Sequence, residues 1–400
     1  MRTLWNFFSP GQLVFGEGSS REVGRQLLTR QLTRVFLVTD PRLVKAGIVS
    51  GIEESLRESG IAFETFAEGE AEPAMHVAVA GAEQAKRFAP QAIIGLGGGS
   101  NMDLAKIIAV LVTHGGDVRR YFGFNNVPGP VIPLVCLPTT AGTGSEVSHA
   151  AVLTDTDNHI KVSTLSQFLR PALAIVDPCL TWTCPKQVTA DSGIDALTHA
   201  IEALMARHHS HLGKDNAEPL AYEGSHPLAT ALAEQAITLV GKHLKGAVLQ
   251  QDRADREGMA LAATLAGLAF SSSGVALVHG LEYPLGGAVH CSHGAGNGLL
   301  LPFVMRFNKP VRLAELARIA KLMGVSTEGL SLEEAAEAAI LAVEQLKKEI
   351  GIPLRLRDLG ATEDQLQSFA EKAHAIKRLR DVNPRDSSVE DLLGILKAAF

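Results

Sequence analysis

Aromatic residues are scarce in this sequence. Among 400 residues, Phe, Trp and Tyr together make up 5%, with only 2 Trp and 3 Tyr. Apolar residues nevertheless account for 46% of the chain and charged residues for 20%, which is typical of a globular protein and excludes a disordered chain. We therefore expect an aliphatic core, and the length favours two or three domains.

Three further features are missing from the sequence: regularly spaced cysteines, a large excess of charge of one sign, and long apolar runs. The four cysteines have neither the spacing of a disulfide framework nor a CxxC metal pattern, which favours a reducing, cytoplasmic compartment. The formal net charge of −6 makes nucleic acid an improbable partner, because such binding needs a basic surface. The N-terminus lacks the apolar region of a secretory signal, and no run approaches the roughly 18 residues of a spanning helix, so no membrane partner is expected.

Short apolar strands alternate with amphipathic helices in the first part of the chain. The pattern predicts strands at residues 34–40, 61–66 and 92–96, and helices at residues 48–59 and 75–88. This alternation is typical of βαβ units around a parallel sheet. The first part therefore belongs to the α/β class.

The second part of the chain is rich in Ala, Leu and Glu and has few β-branched runs. The pattern predicts long helices at residues 229–250, 252–270, 310–322 and 332–349. We place the boundary between an α/β domain, residues 1–178, and an all-helical domain, residues 179–400. The polar, turn-rich segment 206–227 is predicted to be an inserted loop.

Glycine is abundant, with 38 residues, and three of them form one loop. Gly97, Gly98 and Gly99, here called the glycine loop, separate a predicted strand from a predicted helix, where bare backbone and helical N–H groups can approach a phosphate. Ser100 is expected to cap that helix, and Asp103 to reach back as the acid of a capping box. The alternative is a plain tight turn, because neither a GxGxxG nor a Walker A pattern is present.

Asp40 follows another predicted strand. A carboxylate at a strand end can accept both hydroxyls of an adenosine ribose and repel a 2′-phosphate, which favours NAD over NADP. The alternative is a helix N-cap followed by Pro41.

A hydroxyl-rich turn, LPTTAGTGSE at residues 137–146, follows a third apolar run. Its hydroxyl side chains can hydrogen-bond a phosphate or a nicotinamide, although the same residues are ordinary turn formers. The residues concerned are Thr139, Thr140, Thr143 and Ser145.

One carboxylate and three histidines suggest a metal site in the helical part. Asp195 and His199 are four residues apart and share a helix face, and His279 and His293 follow later. This ligand set suits Fe²⁺, with Zn²⁺ as the alternative, and leaves positions open for a substrate oxygen. Among 14 histidines, an ordinary surface pair on the helix is the competing interpretation.

The chain resembles the iron-containing (group III) alcohol dehydrogenase family over essentially its whole length. The motifs that carry the resemblance are GGGSNMDLAK, PTTAGTGSE, DSGIDALTHAIE and VHGLEYPLGGAVHCSHGAGNGLLLPFVMRFN. The resemblance implies an N-terminal Rossmann-like domain that binds the dinucleotide and a C-terminal helical bundle that binds the metal. It implies these metal ligands: Asp195, His199, His279 and His293. It implies these coenzyme contacts: Asp40, Gly97, Gly98, Gly99, Ser100, Thr139, Thr140, Thr143 and Lys161.

The implied activity is metal-dependent hydride transfer between NAD(H), or alternatively NADP(H), and a small alcohol, aldehyde or hydroxy acid. A divalent ion lowers the pKa of an alcohol and polarises a carbonyl, so no separate nucleophile is needed. The family also implies a homodimer or larger homo-oligomer. Two other functions stay open: a non-redox lyase similar to dehydroquinate synthase, and a dinucleotide-binding sensor without turnover.

Tyr283 departs from the family pattern. Many members have a histidine at this position, four residues after the third ligand, that helps a proton to leave. Tyr283 is a candidate catalytic residue that relays a proton or hydrogen-bonds the substrate, with a plain wall residue as the alternative. Together with the loop ending PLAYEGSHPLA, it makes the chain similar to the hydroxyacid-oxoacid transhydrogenase branch, in which a tightly held nicotinamide serves two substrates.

Overall fold

The protein is described by a computed structural model that covers residues 1–156 and 160–400. The chain divides into two compact units: one is Phe8–Cys184, and the other combines Met1–Phe7 with Pro185–Phe400. We refer to them as the α/β unit and the helical unit. The functional boundary between residues 178 and 179 stays a prediction.

A six-stranded parallel sheet forms the centre of the α/β unit. The strands of this unit are, in chain order, β1 (Leu13–Phe15), β2 (Arg34–Val38), β3 (Ala62–Phe66), β4 (Ala92–Gly97), β5 (Gly123–Phe124), β6 (Leu134–Pro138), β7 (Ala150–Asp155), β8 (Ile160–Leu165) and β9 (Leu173–Val176). The main sheet has the order β1-β9-β6-β4-β2-β3. The strands predicted at 34–40, 61–66 and 92–96 are therefore confirmed as β2, β3 and β4.

Three neighbouring strands end at the same edge of this sheet. In the parallel register, Val38 of β2 pairs with Gly95 of β4, and Gly97 of β4 pairs with Pro138 of β6. The chain leaves β2 towards Asp40, β4 into the glycine loop and β6 into the hydroxyl-rich turn. Because ligands of open α/β sheets bind beyond the carboxyl ends of the strands, this edge brings together the predicted coenzyme contacts.

Helices cover both faces of the main sheet. They are α1 (Val23–Leu28), α2 (Pro41–Lys45), α3 (Ile48–Glu58), α4 (Met75–Phe88) and α5 (Gly99–His114). Alternate residues of β2 enter two separate cores: Phe36 joins the core formed with α4 and α5, and Val35 joins the core formed with α1 and α3. Both cores are mainly aliphatic, as the composition predicted.

A second, smaller sheet with the order β5-β8-β7 was not predicted from the sequence. Its strands β7 and β8 are antiparallel, and β5 runs parallel to β8. Strands β7 (AAVLTD) and β8 (IKVSTL) mix apolar and polar residues, and neither is followed by an amphipathic helix. The strand and helix alternation that identified β2 to β4 therefore does not extend to them.

The helical unit contains the long helices predicted for the second part of the chain. Its helices are α6 (Lys186–Met205), α7 (Pro227–Leu249), α8 (Arg253–Ser273), α9 (Leu277–Val289), α10 (His293–Asn308), α11 (Leu313–Leu322), α12 (Leu332–Ile350), α13 (Leu366–Ala375), α14 (Lys377–Val382) and α15 (Val389–Ala399). Helix α6 packs against α7, α8 and α10, and α9 packs against α10, α13 and α14. No single helix within residues 1–156 and 160–400 is long and apolar enough to cross a membrane.

The predicted inserted loop lies between α6 and α7 and contains one short 3-10 turn, His209–His211. The first residues of the chain hold this loop in place. Arg2 and Glu223 form a buried ion pair of 2.9 Å, and the ring of Trp5 stacks on that of His226 at a centroid distance of 4.1 Å. The segment is therefore an ordered part of the helical unit, although it has little regular secondary structure.

Candidate functional site

The contacts of the glycine loop restrict two of its three positions, Gly97 and Gly99, to glycine. Gly97 has a φ of 146°, and a Cβ atom on Gly97 would overlap the side chain of Asn101. A Cβ on Gly99 would lie 2.9 Å from the side chain of Thr143. Helix α5 begins at Gly99, and its N-cap residue, Gly98, has no side chain that could accept from the first N–H groups. Those groups are available to a phosphate.

Two local predictions about this loop are wrong. Ser100 does not cap α5, because the helix begins one residue earlier; its hydroxyl donates to the carbonyl of Ala71 at 2.5 Å. Asp103 does not reach back to the loop either. Its Oδ1 accepts from the hydroxyl of Ser145 at 2.6 Å, and its Oδ2 accepts from the backbone N–H of Val152 at 2.9 Å.

A buried lysine, missed by the sequence interpretation, organises the hydroxyl-rich turn. Lys106 is fully buried in α5, and its Nζ donates to the hydroxyl of Ser145 at 2.8 Å and to the carbonyl of Ala150 at 2.7 Å. Burial lowers the pKa of Lys106, while nearby Asp103 opposes that shift. Because Ser145 accepts from Lys106 and donates to Asp103, these hydrogen bonds join the hydroxyl-rich turn to α5. Lys106 lies one helical turn after Asp103 in the motif GGGSNMDLAK, and this spacing was the sequence signal that could have identified it.

Asp40 makes the helix N-cap that was the alternative interpretation, and its contact with an adenosine ribose stays a prediction. Its Oδ1 caps α2 by accepting from the N–H groups of Arg42 and Leu43, at 2.8 and 3.1 Å. Its Oδ2 accepts from the side-chain amide of Asn101 at 2.6 Å. Asn101 thus links Asp40 to the glycine loop. Oδ1 already accepts two hydrogen bonds, whereas Oδ2 accepts one and has capacity for a further donor such as a ribose hydroxyl.

The threonines of the hydroxyl-rich turn lie against the glycine loop. The N–H of Thr139 donates to the carbonyl of Gly97 at 3.0 Å. The buried hydroxyl of Thr140 lies next to Gly98 and has no hydrogen-bond partner among the described residues. A buried donor of this kind is usually satisfied, so Thr140 fits a role in holding a phosphate or another polar ligand group.

Lys161, the remaining predicted coenzyme contact, lies on β8. Its Nζ forms an ion pair of 2.7 Å with Glu72. Glu72 follows Ala71, the residue whose carbonyl accepts from Ser100. Lys161 is therefore connected to the region of the glycine loop through the segment that contains Ala71 and Glu72.

Asp195, His199 and His279 converge inside the helical unit. Asp195 and His199 lie one turn apart on α6, His279 lies on α9, and one ligand atom from each falls within 4.8 Å of the others. Nε2 of His199 is 3.9 Å from Asp195 Oδ2, and Nε2 of His279 is 3.9 Å from Asp195 Oδ1. Ligand bonds of about 2.0–2.2 Å allow two ligand atoms of one ion to be up to about 4.4 Å apart, so these separations fit a shared ion.

Asn297 connects the fourth predicted ligand, His293, to this group. The fully buried Nδ2 of Asn297 lies 2.8 Å from Asp195 Oδ1, 3.2 Å from His279 Nε2 and 3.1 Å from His293 Nε2. An amide nitrogen carries two hydrogens and cannot satisfy three acceptors together. A divalent cation has no such limit, so the arrangement of these acceptors fits a metal ion.

Two glutamates orient the imidazoles. Glu202 Oε2 accepts from Nδ1 of His279 at 2.6 Å, and Glu282 Oε2 lies 2.5 Å from Nδ1 of His293. A carboxylate at Nδ1 holds the proton there and leaves the Nε2 lone pair free for a metal ion. Burial alone would raise the pKa of Asp195, but the three neighbouring imidazoles lower it below its ordinary value.

Sequence reasoning missed Glu202 and Glu282, although each follows a predicted ligand by three residues, in HAIE and HGLE. A carboxylate one helical turn after a histidine was the available signal.

Tyr283 lies beside His293, one of the predicted metal ligands. It follows His279 by one turn on α9, and its ring centroid is 6.1 Å from that of His293. Its hydroxyl hydrogen-bonds with Arg378 of α14, which also hydrogen-bonds with Tyr222 of the inserted loop. Burial raises the pKa of Tyr283, although Arg378 opposes the shift, so the phenol stays protonated at neutral pH.

The α/β unit contains a sheet edge with a glycine loop, and the helical unit contains a buried group of one carboxylate and imidazoles, features that a metal-dependent dehydrogenase requires. Residues 10–178 match the family described as "Iron-containing alcohol dehydrogenase", and residues 189–400 match "Fe-containing alcohol dehydrogenase family, C-terminal". The chain therefore belongs to the iron-containing alcohol dehydrogenase family.

Individual relatives match along almost the whole chain. A protein named NAD-dependent methanol dehydrogenase from Bacillus methanolicus is 35% identical over 402 residues, covering 99% of this chain and 100% of that protein. A 1,3-propanediol dehydrogenase from Klebsiella pneumoniae is 36% identical over 404 residues, covering 99% of each. A crystal structure of 1,3-propanediol oxidoreductase has a TM-score of 0.93 and 35% identity, covering 100% of both chains.

These comparisons confirm several predictions from the sequence. They confirm the family and the fold, which has an α/β part and a mostly helical part. They also confirm the activity of an NAD-dependent alcohol dehydrogenase that acts on small molecules, and the cofactors NAD(H) and iron. The relatives favour neither the transhydrogenase nor the lyase. The roles of individual site residues stay predictions.

Proposed function

We propose that this chain catalyses reversible hydride transfer between NAD(H) and a small alcohol or aldehyde at an iron ion bound by the helical unit. The ligands are Asp195, His199, His279 and His293. The observation that carries this proposal is the convergence of a carboxylate and imidazoles, with Glu202 and Glu282 holding two of the rings through Nδ1. Surface Asp and His pairs lack this second set of carboxylates.

The coenzyme binds at the carboxyl edge of the parallel sheet. Its pyrophosphate lies on the glycine loop and the first N–H groups of α5, with the hydroxyl of Thr140 as a further donor. Asp40 accepts the adenosine ribose hydroxyls, which favours NAD over NADP. The other proposed coenzyme contacts are Ser100, Asp103, Thr139, Thr143, Ser145 and Lys161. Of these, Asp103 and Ser145 act through the hydrogen bonds that join the turn to α5.

When bound, a divalent ion lowers the pKa of an alcohol hydroxyl and polarises a carbonyl, which is the chemistry that hydride transfer to or from nicotinamide requires. The protein residues hold the site and handle the proton. Glu202 and Glu282 orient the imidazoles of His279 and His293. The protonated phenol of Tyr283 is positioned to hydrogen-bond the substrate oxygen or to take part in proton transfer.

The proposed division of labour follows the predicted domains, with dinucleotide binding in residues 1–178 and metal binding in residues 179–400. The proposed enzyme is cytoplasmic and forms a homodimer or larger homo-oligomer. The four free cysteines, Cys136, Cys179, Cys184 and Cys291, suit a reducing compartment.

The test is metal analysis of the purified protein, followed by NADH formation with a panel of short primary alcohols and diols. We expect turnover that a chelator abolishes and Fe²⁺ restores. His279→Ala should lose both bound metal and activity. His243→Ala is the matched control, because His243 pairs with Asp255 at 2.8 Å elsewhere in the helical unit. NAD binding without turnover on the panel, or activity of His279→Ala without metal, would overturn the proposal.

A further inference from the structure

A buried asparagine joins separate chain segments at the carboxyl edge of the parallel sheet. Asn101 lies in the first turn of α5, shortly after the glycine loop, and its relative exposure is 2%. Its Nδ2 donates to Asp40 Oδ2 at 2.6 Å and to the carbonyl of Leu96 at 3.1 Å. Asn101 therefore connects the start of α5 with the residues that follow β2 and with β4.

The orientation of this amide follows from its partners. The Asp40 carboxylate and the carbonyl of Leu96 are acceptors, so the nitrogen of Asn101, and not its oxygen, faces them. An amide nitrogen carries two hydrogens, and these two hydrogen bonds use both. Because a rotation of the side chain would break both bonds together, the partners fix the amide.

Two glycines pack closely against the side chain of Asn101. A Cβ atom on Gly97 would overlap its Nδ2, and a Cβ atom on Gly69 would overlap its Oδ1. Gly69 follows β3, and its N–H donates to the carbonyl of Thr39 at 2.9 Å, next to Asp40. The asparagine is thus enclosed between the glycine loop and the segment after β3.

These contacts determine what the Asp40 carboxylate can offer a ligand. Oδ1 accepts from the N–H groups of Arg42 and Leu43, which uses both of its lone pairs. Oδ2 accepts from Asn101 with one lone pair and keeps the other for a ligand. Because donors hold both oxygens of this planar group, its rotation is fixed and the remaining lone pair has a defined direction.

We propose that Asn101 is a positioning residue for the coenzyme: it holds the Asp40 carboxylate so that Oδ2 receives the 2′-hydroxyl of the adenosine ribose. The inference rests on the proposed function, because it builds on the proposed role of Asp40 at that ribose. Asn101 itself does not contact the ribose, so its effect on coenzyme binding passes through Asp40.

The first test measures NADH binding to the purified protein by fluorescence titration, which needs no turnover. Asn101→Ala should raise the Kd for NADH about 5- to 20-fold, because the Asp40 carboxylate loses the donor that fixes its rotation. The competitors ADP and 2′-deoxyADP identify the hydroxyl concerned. Wild-type protein should prefer ADP about tenfold or more, and Asn101→Ala should reduce that preference to about threefold or less.

A double-mutant cycle tests whether Asn101 acts through Asp40. Asp40→Ser keeps a hydroxyl that can cap α2 but removes the carboxylate. In that background, Asn101→Ala should change the Kd for NADH about twofold or less. A merely structural role of Asn101 would produce the same loss of NADH binding in both backgrounds.

Two further variants complete the design. Asn383→Ala is the matched control, because Asn383 is similarly buried and exchanges amide hydrogen bonds with Asn308 in the helical unit. It should leave the preference for ADP over 2′-deoxyADP unchanged. If circular dichroism shows that Asn101→Ala does not fold, Asn101→Ser replaces it. The serine is too short to reach Asp40 as asparagine does, so it should lose the same preference.

Two results with a folded Asn101 variant would overturn the inference: an unchanged preference for ADP, or an equal loss of NADH binding with and without the Asp40 carboxylate. Absence of NADH binding by wild-type protein would overturn it as well. NADH binding without turnover on the alcohol panel would instead overturn the proposed hydride transfer alone, and the binding tests would still decide the role of Asn101.

Discussion

Glu202 lies three residues after His199 on α6, yet its carboxylate hydrogen-bonds with Nδ1 of His279 on α9 at 2.6 Å. The second oxygen of the same carboxylate accepts from the N–H of Val278 at 2.7 Å. One helix therefore supplies two proposed metal ligands and also orients a ligand on another helix. Glu282 repeats the pattern from α9 towards His293 of α10.

Removal of the Glu202 carboxylate should weaken metal binding. In Glu202→Ala, His279 loses the partner that fixes its Nδ1 proton, so we expect the affinity for Fe²⁺ to fall about 10- to 100-fold. Competition with a chromophoric chelator measures this without reference to activity. Glu257→Ala, at an exposed position of α8, is the control. Equal affinity in Glu202→Ala and wild type would show that Glu202 has no such role.

Asn297 should stabilise the metal-free protein more than the metal-loaded protein. Its amide contacts three proposed ligand atoms, and Asn297→Ala leaves those buried acceptors without their donor. Without metal, we expect a loss in the free energy of unfolding of about 1–3 kcal/mol. With Fe²⁺ bound, the loss should be smaller, because the ion occupies the lone pairs.

The measurement is urea unfolding of wild type and Asn297→Ala, each with and without Fe²⁺. The cavity left by the truncation affects both forms, so it cancels in the difference between the two losses. Identical losses with and without metal would contradict the prediction.

Asp40 should determine the choice between NAD and NADP. Asp40→Asn keeps a side chain that can cap α2 but removes the negative charge that repels a 2′-phosphate. We expect the ratio of kcat/KM for NAD to that for NADP to fall about tenfold or more. Steady-state kinetics with both coenzymes at one alcohol concentration provide the measurement. An unchanged ratio would assign Asp40 to helix capping alone.

His226 should make the protein less stable in mild acid. Burial, with a smaller effect from His209, lowers the pKa of His226 to about 4. Its Nδ1 accepts from the N–H of Ala229 at 3.4 Å, which requires the unprotonated ring. In the unfolded chain the ring takes up a proton near its ordinary pKa of 6.5. The contribution of His226 to the free energy of unfolding should therefore be constant above pH 6.5. It should fall by up to about 3 kcal/mol between pH 6.5 and 4.

The check is urea unfolding from pH 7.5 to 4.5 in wild type and His226→Asn. Asparagine is a good N-cap and does not titrate, so the variant should keep much of its stability at neutral pH and lose less on acidification. Parallel pH profiles for the two proteins would exclude His226 as the source of the acid sensitivity.

The sequence predicted those elements whose pattern is local. The helix at residues 75–88 is Met75–Phe88 in the structure, and β2 to β4 follow the predicted apolar runs. Side-chain periodicity and chain punctuation act within a few residues, so such elements can be recognised without knowledge of the fold. The same reasoning failed at Ser100, where the helix began one residue early, and at strands β7 and β8, which mix apolar and polar residues.

The residue types that define the chemistry were therefore visible in the sequence alone: the glycine loop, Asp40, and one carboxylate with three histidines. Only the tertiary structure decided how these side chains are held. Lys106 and Ser145 are 39 residues apart, and Glu202 and His279 are 77 apart. Contacts at such separations depend on which helix faces pack together, and periodicity within one element contains no information about its partner. For that reason the sequence identified the proposed ligands, whereas the packed helices showed the two glutamates and the asparagine that contact them.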